Sequence, residues 1–279
     1  MQSNKVLIWR SKDQKIYTEQ DARINKERNL VIGTGYNSIG VNAFRNNIKV
    51  RRVVLQDNIS EINANAFTNC TSMREVEMKG IQIVRKEAFE GCVNLTGAEF
   101  ESPVKMIGAN AFHGCKRLKR VRIRENSPYR IIRQGIFRGC LNLSSVQLPE
   151  NINKIEDFAF YKCIELSDFC FSDELREIGG SAFYQCGFSE LKLPEKLEKI
   201  GDSAFLKCKK LEYVRIPGNV RCIEKWAFHG CDRLKILEIT HDPEVIGEWI
   251  VNRSTHIRCR KGSAVDKYCR ENGLVTEYI

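Results

Sequence analysis

No stretch of this chain approaches the ~20 consecutive apolar residues that a bilayer-spanning helix needs, which argues against a membrane span. The start, MQSNKVLIWRSKDQK, holds only a four-residue apolar run, too short for the core of a signal peptide. A chain that begins natively at Met1 is therefore expected in the cytosol. One from which a leader has been trimmed is expected at the cell surface or secreted. No Pro- or Gly-rich tract interrupts a composition that is 42% apolar, so extended disorder is excluded. Catalytic signatures are missing too: there is no Gly-x-Ser-x-Gly elbow, no phosphate loop and no dinucleotide fingerprint. Gly33 and Gly35 make only a Gly-Thr-Gly turn. Neither an enzyme nor a bound cofactor is expected.

Histidine is scarce, with four residues, and two of them stand in His-Gly-Cys at His113 and His229. His and Cys are zinc ligands. These two motifs, however, occupy one slot of a repeat five units apart, roughly 24 Å at strand spacing, and cannot share an ion. No metal site is expected. Lys and Arg outnumber Asp and Glu by 45 to 35, a formal charge of +10. Such an excess favours acidic partners, among them nucleic acid and anionic glycans. It is not gathered into one run, which weakens the case for nucleic acid.

What the chain has in abundance is a returning phrase, Ala-Phe-x-x-Cys. The phenylalanines are Phe44, Phe67, Phe89, Phe112, Phe137, Phe160, Phe183, Phe205 and Phe228, at spacings of 23, 22, 23, 25, 23, 23, 22 and 23. A fixed period in the twenties identifies a solenoid of one stacked unit. An apolar residue sits five before each phenylalanine, from Ile39 to Ile223. Six after it begins a run of the form Leu-x-x-Val-x-Ile, whose alternation predicts one short strand per coil and a parallel sheet along one face. Eight cysteines, Cys70, Cys92, Cys115, Cys140, Cys163, Cys186, Cys208 and Cys231, fall three residues after a phenylalanine. They predict a column of buried, reduced thiols packing as small hydrophobes. Cys259 and Cys269 lie in the C-terminal segment, where packing is expected ahead of a disulfide.

The unit resembles the leucine-rich repeat, and its Ile-Gly-x-x-Ala-Phe-x-x-Cys-x-x-Leu-x-x-Val-x-Ile-Pro form is similar to the BspA-type subfamily. IGANAFHGCKRLKRVRI (107–123) and IGDSAFLKCKKLEYVRIP (200–217) match it almost position for position. The resemblance implies a right-handed, mainly β solenoid with little helix, and a surface-exposed, adhesive protein rather than a catalyst. The expected layout is an N-terminal cap over 1–38, the solenoid over 39–251 with a degraded tenth repeat, and a C-terminal cap over 252–279.

Function is then expected on the outward residues of the sheet. Coil by coil these bring Glu75, Glu77, Glu99 and Glu101 against Arg120, Arg122 and Arg124, with Tyr129 and Arg130 at the rim in a two-residue insertion. Tyr213 and Arg215 form a second aromatic and basic pair further along. A protein or peptide partner is expected there, with a polyanion as the alternative. Equally open is that Glu99 and Glu101 merely pair with Arg122 and Arg124 across the ladder.

Overall fold

A computed structural model describes residues 15–33 and 35–279, as a parallel β-solenoid of about 11 turns with little helix. The Leu-x-x-Val-x-Ile runs form strands of three or four residues. Asn29–Ile32, Arg52–Leu55, Glu75–Met78, Gly97–Phe100, Arg120–Ile123 and Ser145–Gln147 make a six-stranded parallel sheet. Tyr213–Ile216, Ile236–Ile239, His256–Cys259 and Val275–Tyr278 make a four-stranded one in the same slot of later coils. The residues just before each Ala-Phe turn form two-residue strands such as Glu61–Ile62 and Lys154–Ile155, which ladder along the return side.

Between the two wall sheets the ladder is interrupted, for a reason visible in side-chain size. Coil 166–171 reads LSDFCF, with Phe169 in a slot that other coils give to Val, Ala or Leu. Phe169 meets Phe160 and Phe183 edge-on, at 5.1 and 5.3 Å between centroids. Phe171 meets Phe183 edge-on at 5.6 Å. Rings that must stand against the stacked column hold the backbone away from the neighbouring strands, and no strand forms there. The next coil, with Phe188 against Phe183, keeps only one bridge, Leu191 to Val214.

The repeat phenylalanines form a continuous buried column. Neighbouring rings stack at 4.9 to 5.8 Å, the Phe67–Phe89 pair being 5.2 Å apart at 4°, and only around Phe137 do they tilt, by 19° from Phe112 and 30° from Phe160. Each Phe amide donates to the coil above, as Phe160 N–H does to the Ala182 carbonyl at 2.7 Å. Ala precedes Phe because this turn is crowded: Ala66, Ala88, Ala111, Ala159, Ala182 and Ala204 are fully buried. The turn also needs left-handed backbone two residues before the phenylalanine, which is why Asn42, Asn65 and Asn110 recur there, at φ of 55–57°.

The cysteine column is buried, as expected, and does more than fill space. Each ladder thiol donates to the carbonyl of the phenylalanine one coil earlier, Cys163 to Phe137 O at 3.2 Å and Cys92 to Phe67 O at 3.1 Å. Those carbonyls are thereby satisfied inside the core. All twelve cysteines are free thiols, and only Cys170 is exposed, with Cys222 half-buried. Labelling of folded protein should therefore find Cys170 reacting first, Cys222 slowly, and the other ten only on denaturation. Ladder thiols that react as fast as Cys170 would show that the column is open.

Both ends continue the repeat further than the sequence boundaries imply. Ile16–Tyr17 pairs with Ser38–Ile39, so Tyr17 stands in the apolar slot of Ile39, and its ring ends the column by stacking on Phe44 at 5.3 Å. Helix α1 (Glu19–Ile24), absent from the sequence reading, is closed by a capping box between Thr18 and Asp21. KVLIW (5–9), an apolar run that reads as a strand, lies outside the described residues. At the other end, within the segment read as a C-terminal cap, helix α2 (Ala264–Asn272) follows the strand His256–Cys259, capped by Ser263 and ended by left-handed Gly273. Val275–Tyr278 then returns as the last strand of the sheet. Cys259 and Cys269 are buried and unbridged.

Candidate functional site

Strand periodicity alone sends every second residue of the six-stranded sheet outward, and register decides which charges become neighbours. Arg52 stands opposite Glu75, Val54 opposite Glu77, Arg120 opposite Gly97 and Arg122 opposite Glu99. The ion pairs form at the N-terminal end of the array: Arg52 reaches Glu75 at 3.5 Å and also bonds Glu77. Glu75 and Glu77 are therefore held by a neighbouring strand.

The pairing of Glu99 and Glu101 with Arg122 and Arg124 does not occur. Among the described residues no ion pair involves Glu99, Glu101, Arg120 or Arg122, and Arg124 donates instead to the Glu101 backbone carbonyl at 3.1 Å. Three exposed arginines, two on the strand Arg120–Ile123 and Arg124 just after it, thus stand without a carboxylate partner among the described residues. Beside them lies a cleft of about 680 Å³, at the edge where the sheet is interrupted, lined by Arg122, Arg124, Gln147, Pro149, Cys170 and Ser172. The chemistry on offer is a fork of guanidinium donors suited to carboxylates.

Tyr129 is not at the rim. It is 3% exposed, in the core beneath the insertion, where burial drives its phenol pKa far up and its hydroxyl has no hydrogen-bond partner. The insertion folds inward because Ser127, also buried, accepts from the Val104 amide at 3.0 Å and anchors the loop. Arg130 remains exposed. The second pair is knitted into the sheet: Tyr213 donates to Glu238 at 3.0 Å, and Arg215 pairs with Glu195 at 3.0 Å and Glu238 at 3.8 Å. Arg258 bridges Glu238 and Glu277 at 3.3 and 2.9 Å, so this network compensates its own charge. A cleft of about 720 Å³ adjoins it, lined by Glu190, Leu191, Lys192, Leu193, Tyr213 and Arg215.

Among the described residues no group of three or more His, Cys, Asp or Glu is placed to hold a metal ion. His113 Nδ1 lies 2.9 Å from Glu90, and His229 Nδ1 lies 3.4 Å from the Val251 carbonyl, each a local contact between adjacent coils.

The model of the BspA type leucine rich repeat region matches residues 24–129 and 130–258, in six copies. The chain belongs to the BspA-type leucine-rich repeat family. Solved structures agree on the fold. A leucine-rich repeat protein from Bacteroides ovatus is 20% identical, with 90% of this chain and 91% of that chain covered and a TM-score of 0.62. Another from Eubacterium ventriosum is 17% identical, covering 93% and 74%, with a TM-score of 0.54. No curated protein matches the chain in sequence. Membership in this BspA-type family points to an interaction or adhesion module. No helix among the described residues is long and apolar enough to cross a membrane.

What sequence reasoning missed is the interruption that shapes both clefts. Its signal was available in Phe169, a ring in a slot that other coils give to Val, Ala or Leu.

Proposed function

We propose that this BspA-type chain is a non-enzymatic binding module that docks an acidic peptide or protein segment on its sheet face, against Arg120, Arg122 and Arg124. The observation that carries this is the absence of a carboxylate partner for Arg120 and Arg122 in a protein whose other sheet charges are largely paired. The strand fixes the three side chains in a row, so a partner meets a preorganised surface and loses little freedom in ordering it. Glu99 and Glu101, equally unpaired on the adjacent strand, offer a second, opposite charge for a partner whose sequence is bipolar.

Peptides selected from a displayed library on the immobilised chain should be enriched in Asp and Glu. They should fail to bind the double reversal Arg120→Glu, Arg122→Glu. Neither arginine has an ion pair to lose, so the variant should melt within a few tenths of a kcal/mol of the parent. Ligands without acidic bias, or equal binding to the reversal, would place the binding face elsewhere. A salt series separates a short acidic segment from a polyanion, whose affinity falls much more steeply with ionic strength.

A further inference from the structure

The turn edge of the solenoid changes character half-way along. The left-handed slot two residues before each phenylalanine holds Asn42, Asn65, Glu87, Asn110 and Gly135 in the first half, four of the five being Asn or Gly, types that adopt this conformation readily. In the second half the same slot holds Ser181 and Ser203 but also Phe158 and Trp226, and the corresponding slot of the degraded coil before Val251 holds Trp249, the three aromatics at φ of 58, 57 and 53°. A bulky aromatic there is strained, and the packing of the coil does not require it, since asparagine serves in the earlier coils. Such an outlier is a reason to look for a function. Trp226 and Trp249 are each 41% exposed.

The cations on this edge are held by rings rather than by carboxylates. Arg138 lies over Phe158 at 5.3 Å and Tyr161 at 5.2 Å, Lys162 over Tyr161 at 5.6 Å, and Lys207 over Tyr184 at 5.8 Å. Arg253 lies over Trp249 at 5.4 Å. None of these four has an ion pair among the described residues; Lys225, over Trp226 at 4.8 Å, also pairs with Asp202 at 3.5 Å. A ring leaves the charge on its cation available to an anion, whereas a carboxylate neutralises it. The row runs over five coil steps, about 25 Å at strand spacing.

We propose that this aromatic and cationic ridge is a binding site for a linear anionic glycan, one bearing carboxylate or sulfate groups. The exposed rings of Trp226 and Trp249 receive the apolar faces of the sugars, and the cations along the ridge receive the acidic groups. A planar anionic membrane fits less well, because the ridge is bordered by a groove of about 560 Å³ that a flat surface would have to span, and the lysines in it, Lys154 and Lys199, are already paired with Glu177 and Glu224 at 2.8 Å each, which leaves no free cation there among the described residues for lipid headgroups. A single-stranded nucleic acid fits less well, because Tyr161 and Tyr184 are closed on one another at 4.6 Å and 8°, leaving no slot for a base between them. A chain of sugars needs neither a flat footprint nor a slot.

The test is binding of the full chain to a heparin-derived oligosaccharide, with neutral dextran, polyuridylate and phosphatidylserine vesicles alongside. Heparin should bind and dextran should not. Lys207→Gln with Arg253→Gln, and separately Trp226→Asn with Trp249→Asn, should each weaken heparin binding by about tenfold or more. The asparagine variant should melt at or above the parent temperature, because it relaxes the left-handed slots, so lost binding there is not lost folding. Reversing Arg120 and Arg122 on the sheet face should leave heparin affinity unchanged, which separates this site from the peptide site. No heparin binding, unchanged affinity in both ridge variants, loss of affinity on the sheet-face reversal, or tighter binding to polyuridylate or vesicles would each overturn the proposal.

Discussion

Replacing Phe160 by Ala should destabilise the protein by about 3–5 kcal/mol, as expected for emptying the site of a large buried ring. Phe160 is fully buried, stacked between Phe137 at 5.3 Å and Phe183 at 5.1 Å, and met edge-on by Phe169 at 5.1 Å. Its neighbours cannot close the gap, because each is fixed by its own amide bonding to the next coil, Phe137 N–H to Ala159 O and Phe183 N–H to Ala204 O, both at 2.8 Å. In a solenoid each unit is stabilised by its neighbours, so the loss should spread to the coils on either side. Denaturant unfolding gives the magnitude, and amide exchange should show faster opening on both flanks. A change below about 1 kcal/mol, far under the range for such a deletion, would mean that Phe160 does not belong to the column.

Much of this was legible because a repeat states its own structure many times. Nine phenylalanines at one period fix the coil, and the strand, turn and thiol positions follow from residues that recur around them. What a repeat does not announce is its exceptions. The wall sheet breaks where Phe169 is too large for its slot, a matter of three-dimensional volume that alternation alone does not reveal. The insertion at 124–130 was read correctly as an irregularity, but its direction depended on Ser127 finding a buried amide, and so Tyr129 turned inward. The charges were harder still. Arg52 lies opposite Glu75 in register and reaches Glu77 as well, whereas Arg122 stands opposite Glu99 and makes no pair with it. Register gives neighbours; side-chain reach decides which of them meet.

The thiol column should make the protein unfold abruptly in mild alkali. Burial pushes up the pKa of seven ladder thiols, Cys92, Cys115, Cys140, Cys163, Cys186, Cys208 and Cys231, the last to about 12. Folded values above the unfolded value mean that the neutral column contributes its full stability below the unfolded thiol range, about 8.5–9. As pH rises past that range the unfolded chain releases protons that the folded chain retains, so stability falls until the folded thiols themselves ionise. Each thiol contributes a slope of at most about 1.4 kcal/mol per pH unit. Seven acting together reach about 10 kcal/mol per unit, comparable to the whole stability of an ordinary domain. Cooperative unfolding is therefore expected within about two pH units above the thiol range. Replacing Cys163 by Ser isolates the cause. Phe137 O remains in place to accept the hydroxyl, and one ionisable group disappears from the column. Whatever the variant costs at neutral pH, its stability should fall less steeply between pH 9 and 10, by about 1.4 kcal/mol per unit. An unchanged slope would show that the ladder thiols are not what titrates, and that the alkaline limit of the fold is set by other groups.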